Sequence, residues 1–121
     1  MYSARLLDHF QHPRNVGELP PPAVTVEVSN PVCGDILRLS VEFREGRVAE
    51  ARYKTRGCTA SIAAGSALTG LLIGKTPQEI ANLRPLDVEN AVGGLSAESK
   101  HAARLSVDAV RAVLRCQPNA A

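Results

Sequence analysis

The chain has 121 residues, with 14 basic and 12 acidic side chains, two Tyr, two Phe and no Trp. That length supports a single domain, taken as residues 1–121, with an aliphatic core of Leu, Val, Ile and Ala. Near-balanced charge and scarce aromatics argue against a dedicated nucleic-acid binder, which normally shows a concentrated basic stripe with interleaved rings. No apolar run reaches membrane-spanning length, and the charged stretch MYSARLLDHFQHPRN lacks the apolar centre of a secretory signal. Three cysteines, an odd number, argue against a disulfide framework and for a reducing compartment, so the expected location is the cytoplasm.

In chain order, a short helix is predicted from about Ser3 to Gln11, with Leu6, Leu7 and Phe10 on one face. Pro13 ends it, and PRNVGELPPP is turn and loop chemistry. VTVEV (Val24 to Val28) alternates apolar and polar residues as a half-buried strand does. LRLSVEF alternates again, with Leu37, Leu39, Val41 and Phe43 inward, and REGR supplies a hairpin turn at Gly46. The next strand, from about Val48 to Thr55, is expected to turn Ala49, Ala51 and Tyr53 inward. Its other face carries Glu50, Arg52, Lys54 and Arg56, the pattern of a solvated sheet face.

After Gly57 and Cys58 the sequence becomes helical. TASIAAGSALTGLLIG is small and apolar over most of its surface, which predicts a largely buried helix stopped at Gly74. Two short helices are predicted near Pro77 to Asn82 and Pro85 to Ala91, then a break at VGG. The last helix is expected to start with Ser96 as its N-cap and to run to about Cys116, before Pro118. Lys100, Arg104, Asp108, Arg111 and Arg115 form its solvent stripe, while Leu105, Ala109, Val110, Val113 and Leu114 face inward. Strands followed by helices predict an α+β fold, a small three-stranded antiparallel sheet with helices packed on one face.

Four residues stand out for chemistry. Cys33 sits in NPVCGD between two strands, two residues from the Asp35 carboxylate. Cys58 stands where a strand gives way to a helix, where free N–H groups and the helix dipole favour a thiolate. His101 falls near the start of the last helix, where the same dipole disfavours imidazolium and leaves a ring able to ligate metal. Each also has a plain structural reading: turn chemistry for Cys33 and Asp35, a tight turn for Cys58, a surface position for His101. His9 and His12 read more simply as surface residues. Cys116 lies fifteen residues beyond His101, on the order of 22 Å along an unbroken helix, too far to share its metal site. Sulfur-containing donor sets favour iron–sulfur clusters or zinc, and the chain has no C-x-x-C pair of a zinc ribbon or thioredoxin.

DHFQHPRNVG (Asp8 to Gly17), PVCGD (Pro31 to Asp35), GCTASIA (Gly57 to Ala63) and KHAARLSVDAV (Lys100 to Val110) occur in this order. Together they resemble the IscU family of iron–sulfur cluster assembly scaffolds, also called the NifU N-terminal domain. The resemblance implies a non-catalytic scaffold or carrier. Such a protein takes sulfur from a cysteine desulfurase, builds a transient [2Fe–2S] cluster and passes it to cluster-accepting apo-proteins. It implies Cys33, Asp35, Cys58 and His101 as the ligands, with zinc able to occupy the same site, and Asp35 as the group that keeps the cluster labile. A zinc-binding homologue and a sulfur-transfer protein are the alternatives. Two departures stand out. The position after the histidine, where the family typically has a third cysteine, is Ala102. The stretch matching the family's chaperone-recognition motif is LSAES (Leu95 to Ser99), so binding to a dedicated Hsp70-type chaperone is not supported.

Overall fold

The computed structural model describes residues 2–32 and 34–116. Cys33 and Pro118 lie outside the described residues. Eight elements and one 3₁₀ turn follow in order: α1 (Ala4–Gln11), β1 (Val24–Ser29), β2 (Ile36–Arg44), β3 (Arg47–Arg56), α2 (Thr59–Leu72), α3 (Pro77–Ala81), α4 (Pro85–Ala91), the 3₁₀ turn Ala97–Ser99 and α5 (Lys100–Cys116). The strands form one antiparallel sheet in the order β1-β2-β3, as the alternating segments predicted. Helices α2 and α5 lie against it, α2 over β3 and α5 over β1 and β2. The fold is α+β.

The sheet's inner face presents Leu37, Leu39, Val41, Ala51 and Tyr53, all buried. Between β2 and β3 the chain turns on Glu45 and Gly46, both with positive φ (54° and 77°). That is the two-residue hairpin geometry whose twist matches the strands, and it is why a glycine stands there. A register shift follows: Glu42 pairs with Glu50 but Phe43 pairs with Val48, so Ala49 is an extra residue on β3. This bulge corrects the expected inward face. It reverses the alternation, burying Val48 and leaving Ala49 half-buried.

β3 is a geometric edge, but its backbone is paired by loops at Val48 and Tyr53. Tyr53 exchanges hydrogen bonds with Asn15 and Gly17, each of 2.9 Å, and Val48 with Gly74 and Lys75, each of 2.8 Å. Two loops thus cover the edge that would otherwise invite another strand. The outer face is solvated and charged as expected, with Arg38 gripping Glu18 at 3.0 and 3.1 Å.

α1 differs from its prediction. Leu6 is fully buried, but Leu7 and Phe10 are 38% and 37% exposed. The helix packs chiefly on α2, which covers only one line of its surface. α5 agrees closely with its predicted faces. Leu105, Ala109, Val110 and Val113 are buried, and the five charged positions from Lys100 to Arg115 are exposed. Ser96 caps the 3₁₀ turn rather than α5 itself, which begins at Lys100.

Candidate metal centre

Three chain segments distant in sequence end at one place. Asp35 is the last residue before β2. Its carbonyl accepts from the Asn30 N–H (2.9 Å), and the Gly34 N–H donates to the Asn30 carbonyl (2.7 Å), which folds the loop back on β1. Cys58 is the N-cap of α2, in extended backbone (φ −77°, ψ 172°). His101 is the second residue of α5, its ring fixed by Nδ1–H donating to the Glu98 carbonyl at 3.0 Å. A carbonyl can only accept, so the proton is on Nδ1 and Nε2 is left free to face the centre.

Asp35 Oδ2 lies 3.1 Å from His101 Nε2 and 3.9 Å from Cys58 Sγ, and Sγ lies 3.8 Å from Nε2. Bonds of roughly 2.0–2.3 Å to one tetrahedral ion would place donor atoms about 3.3–3.8 Å apart. The three donors therefore fit a single ion of the zinc or iron kind. Asp35 is 6% exposed, while Cys58 is exposed and the His101 ring partly so. The acid forms the floor of the centre, and the thiol and imidazole form its open rim.

Gly57 makes room for this floor. A Cβ there would stand 2.7 Å from Asp35 Cγ and 2.8 and 2.9 Å from its two oxygens. The glycine before Cys58 is thus required by the close approach of a carboxylate from another segment, and not only by a turn.

Burial opposes ionisation of Cys58, but Ser61 through its hydroxyl and N–H, the His101 ring and the Ala60 N–H outweigh it. The thiol is held below its ordinary value of 9.0. His101 departs from the dipole expectation. Burial disfavours its charged form, yet Cys58, Asp35 and the Glu98 carbonyl together raise the ring above its ordinary 6.5. A helix end contributes only about 0.3–1 kcal/mol, and two acidic acceptors at contact distance override it. A metal entering here competes with a proton for Nε2.

Of the residues singled out from the sequence, the structure brings together Asp35, Cys58 and His101; Cys33 lies outside the described residues. Cys116 ends α5 and is exposed. Ala102 points into the core at 2% exposure, so no thiol is offered beside His101 on that side. His9 is engaged elsewhere, its Nδ1 2.7 Å from Ser66 Oγ. Ser61 was not anticipated. Its hydroxyl donates to Asp35 Oδ2 and lies 3.4 Å from Cys58 Sγ. The available signal was its place three residues after the helix cap, where a side chain faces back to the cap residue.

The sequence matches the family described as NifU-like N terminal domain across residues 1–117. The chain belongs to this family. An iron-sulfur cluster assembly scaffold protein IscU 1 of Archaeoglobus fulgidus is 38% identical over 111 residues, covering 92% of this chain and 72% of the relative. A scaffold protein IscU of Azotobacter vinelandii is 34% identical over 118 residues, covering 94% and 91%. Among solved structures, a putative iron-sulfur cluster assembly scaffold protein for the SUF system from Fervidobacterium islandicum AW-1 superposes with a TM-score of 0.74. Its 21% identity, over 93% of this chain and 96% of that one, speaks to the fold alone.

Proposed function

We propose that this protein is an iron–sulfur cluster assembly scaffold that holds a transient [2Fe–2S] cluster as cargo through Cys33, Asp35, Cys58 and His101. The observation that carries this reading is the convergence of Asp35, Cys58 and His101, whose ligand atoms all lie within 4.8 Å of one another. Family membership and the names of the scaffold relatives support it. Its role is binding and handing on, so none of its residues is assigned to catalysis. A cysteine desulfurase would supply the sulfur and apo-proteins would receive the cluster. Reduced thiols are needed throughout, which fits a reducing compartment such as the cytoplasm.

The donor set suits cargo that must leave. Four thiolates hold the clusters of stable electron carriers. Here an oxygen and a nitrogen replace two of them, and the thiol and imidazole stand at a rim open to solvent. Anaerobic reconstitution with ferrous iron and sulfide tests the reading. The wild-type chain should develop charge-transfer absorption that Cys58→Ala or His101→Ala abolishes, and that passes to an apo-acceptor on mixing. A colourless product after reconstitution would count against it.

One observation favours a second reading. The three donors are spaced for one ion, so a zinc-binding homologue would use the same residues. Such a protein would hold near-stoichiometric zinc as purified and stay colourless when iron and sulfide are supplied.

A further inference from the structure

We infer that Ser61 is a positioning residue for this centre, one hydroxyl that sets the orientation of Asp35 toward the metal. The inference rests on the site reading above. Ser61 lies in the first turn of α2 and is 5% exposed. Its recorded side-chain partners are the two candidate ligands: it donates to Asp35 Oδ2, and its oxygen stands 3.4 Å from Cys58 Sγ. A serine in a first helical turn commonly serves the backbone. This one instead spans β2 and α2 at the point where they deliver an acid and a thiol.

The choice of oxygen matters. Oδ2 is the atom that faces both Nε2 of His101 and Sγ of Cys58. A carboxylate oxygen has two acceptor directions. Ser61 occupies one and leaves the other aimed at the space between the three donors. The carboxylate is thereby set to bind through a single oxygen, and its freedom to rotate is removed before metal arrives. The same hydroxyl oxygen stands 3.4 Å from Cys58 Sγ, so the carboxylate is fixed directly beside the sulfur donor. Partners of this kind are worth about 10–100-fold in metal affinity when removed.

The test is a competition titration of Zn²⁺ against a chromophoric chelator at fixed pH. Four proteins are compared: wild type, Ser61→Ala, Asp35→Ala and the double variant. Alanine is a better helix former than serine, so Ser61→Ala folds, and the melting temperature of the metal-free chain checks this. Ser61→Ala should weaken zinc binding about 10–100-fold in the wild-type background. Added to Asp35→Ala, the same change should alter affinity by no more than about twofold, because the residue acts through that carboxylate. Equal affinity of Ser61→Ala and wild type overturns the inference, and so does an equal loss in both backgrounds. A wild-type chain that does not take up zinc at all overturns the site reading itself, a result separable from the other two.

Discussion

Replacing Gly57 by alanine is the sharpest probe of how the centre is built. The added Cβ would sit 2.7 Å from Asp35 Cγ, whereas ordinary contact begins at 3.4 Å, so the carboxylate must retreat by about 0.7 Å. Metal–ligand bonds tolerate about 0.2 Å. The displacement is therefore several times what ligation allows, and Asp35 is lost as a donor without being mutated. The backbone at Gly57 does not have positive φ, so the effect is not conformational strain. Overpacking of this sort costs about 1–3 kcal/mol of stability, which a stable chain survives. Zinc affinity, measured by chelator competition, should fall at least tenfold and match that of Asp35→Ala. Gly65→Ala is the control: its Cβ would meet two Tyr53 ring carbons at 2.5 Å, away from the centre. That variant should lose melting temperature while its folded fraction binds zinc normally. Wild-type zinc affinity in Gly57→Ala would refute the reasoning.

Zinc affinity should also fall as pH drops through the raised His101 value, on the order of tenfold per unit from that proton alone, and flat affinity between pH 8 and 6 would count against it. In the metal-free chain, the His101 ring should titrate above 6.5 by NMR, and Cys58→Ala should lower its midpoint, since the thiol is the largest of the raising influences. The sign for folding follows from the same direction. The stability His101 contributes is fully present below 6.5 and is lost as pH rises through the raised value, a dependence that His101→Ala should remove from denaturant titrations. Leu6→Ala, which empties a fully buried position, should cost about 2–5 kcal/mol. Leu7→Ala, at a 38% exposed position next to it, should cost less than about 1 kcal/mol by the same unfolding assay.

Much of the fold was legible because its signals are local. Alternation in VTVEV and LRLSVEF, the EG turn and the small-residue helix each depend on neighbours a few positions away. The misses have non-local causes. The bulge at Ala49 arises in the pairing of β3 with β2, so the β3 sequence alone pointed to the wrong residue. Leu7 and Phe10 fit the apolar pattern of α1, but only the docking on α2 decides which of its residues are covered.

The centre divides in the same way. Cys58 at a strand–helix junction was readable from order of elements, and so was the placement of Asp35 before a strand. The need for Gly57 was not, because the atom that excludes its side chain comes from Asp35, in a separate segment. The charge preference of His101 was likewise misjudged from its own helix. Its acceptors, Cys58 and Asp35, approach from two other elements and reverse the dipole's effect.

X-ray absorption at the zinc edge of the zinc-loaded chain tests the central claim most directly. Two sulfur scatterers at about 2.3 Å and two nitrogen or oxygen scatterers at about 2.0–2.2 Å are expected, with one sulfur lost in Cys58→Ala. A shell of nitrogen and oxygen alone, or a spectrum that Cys58→Ala and His101→Ala leave unchanged, would contradict it.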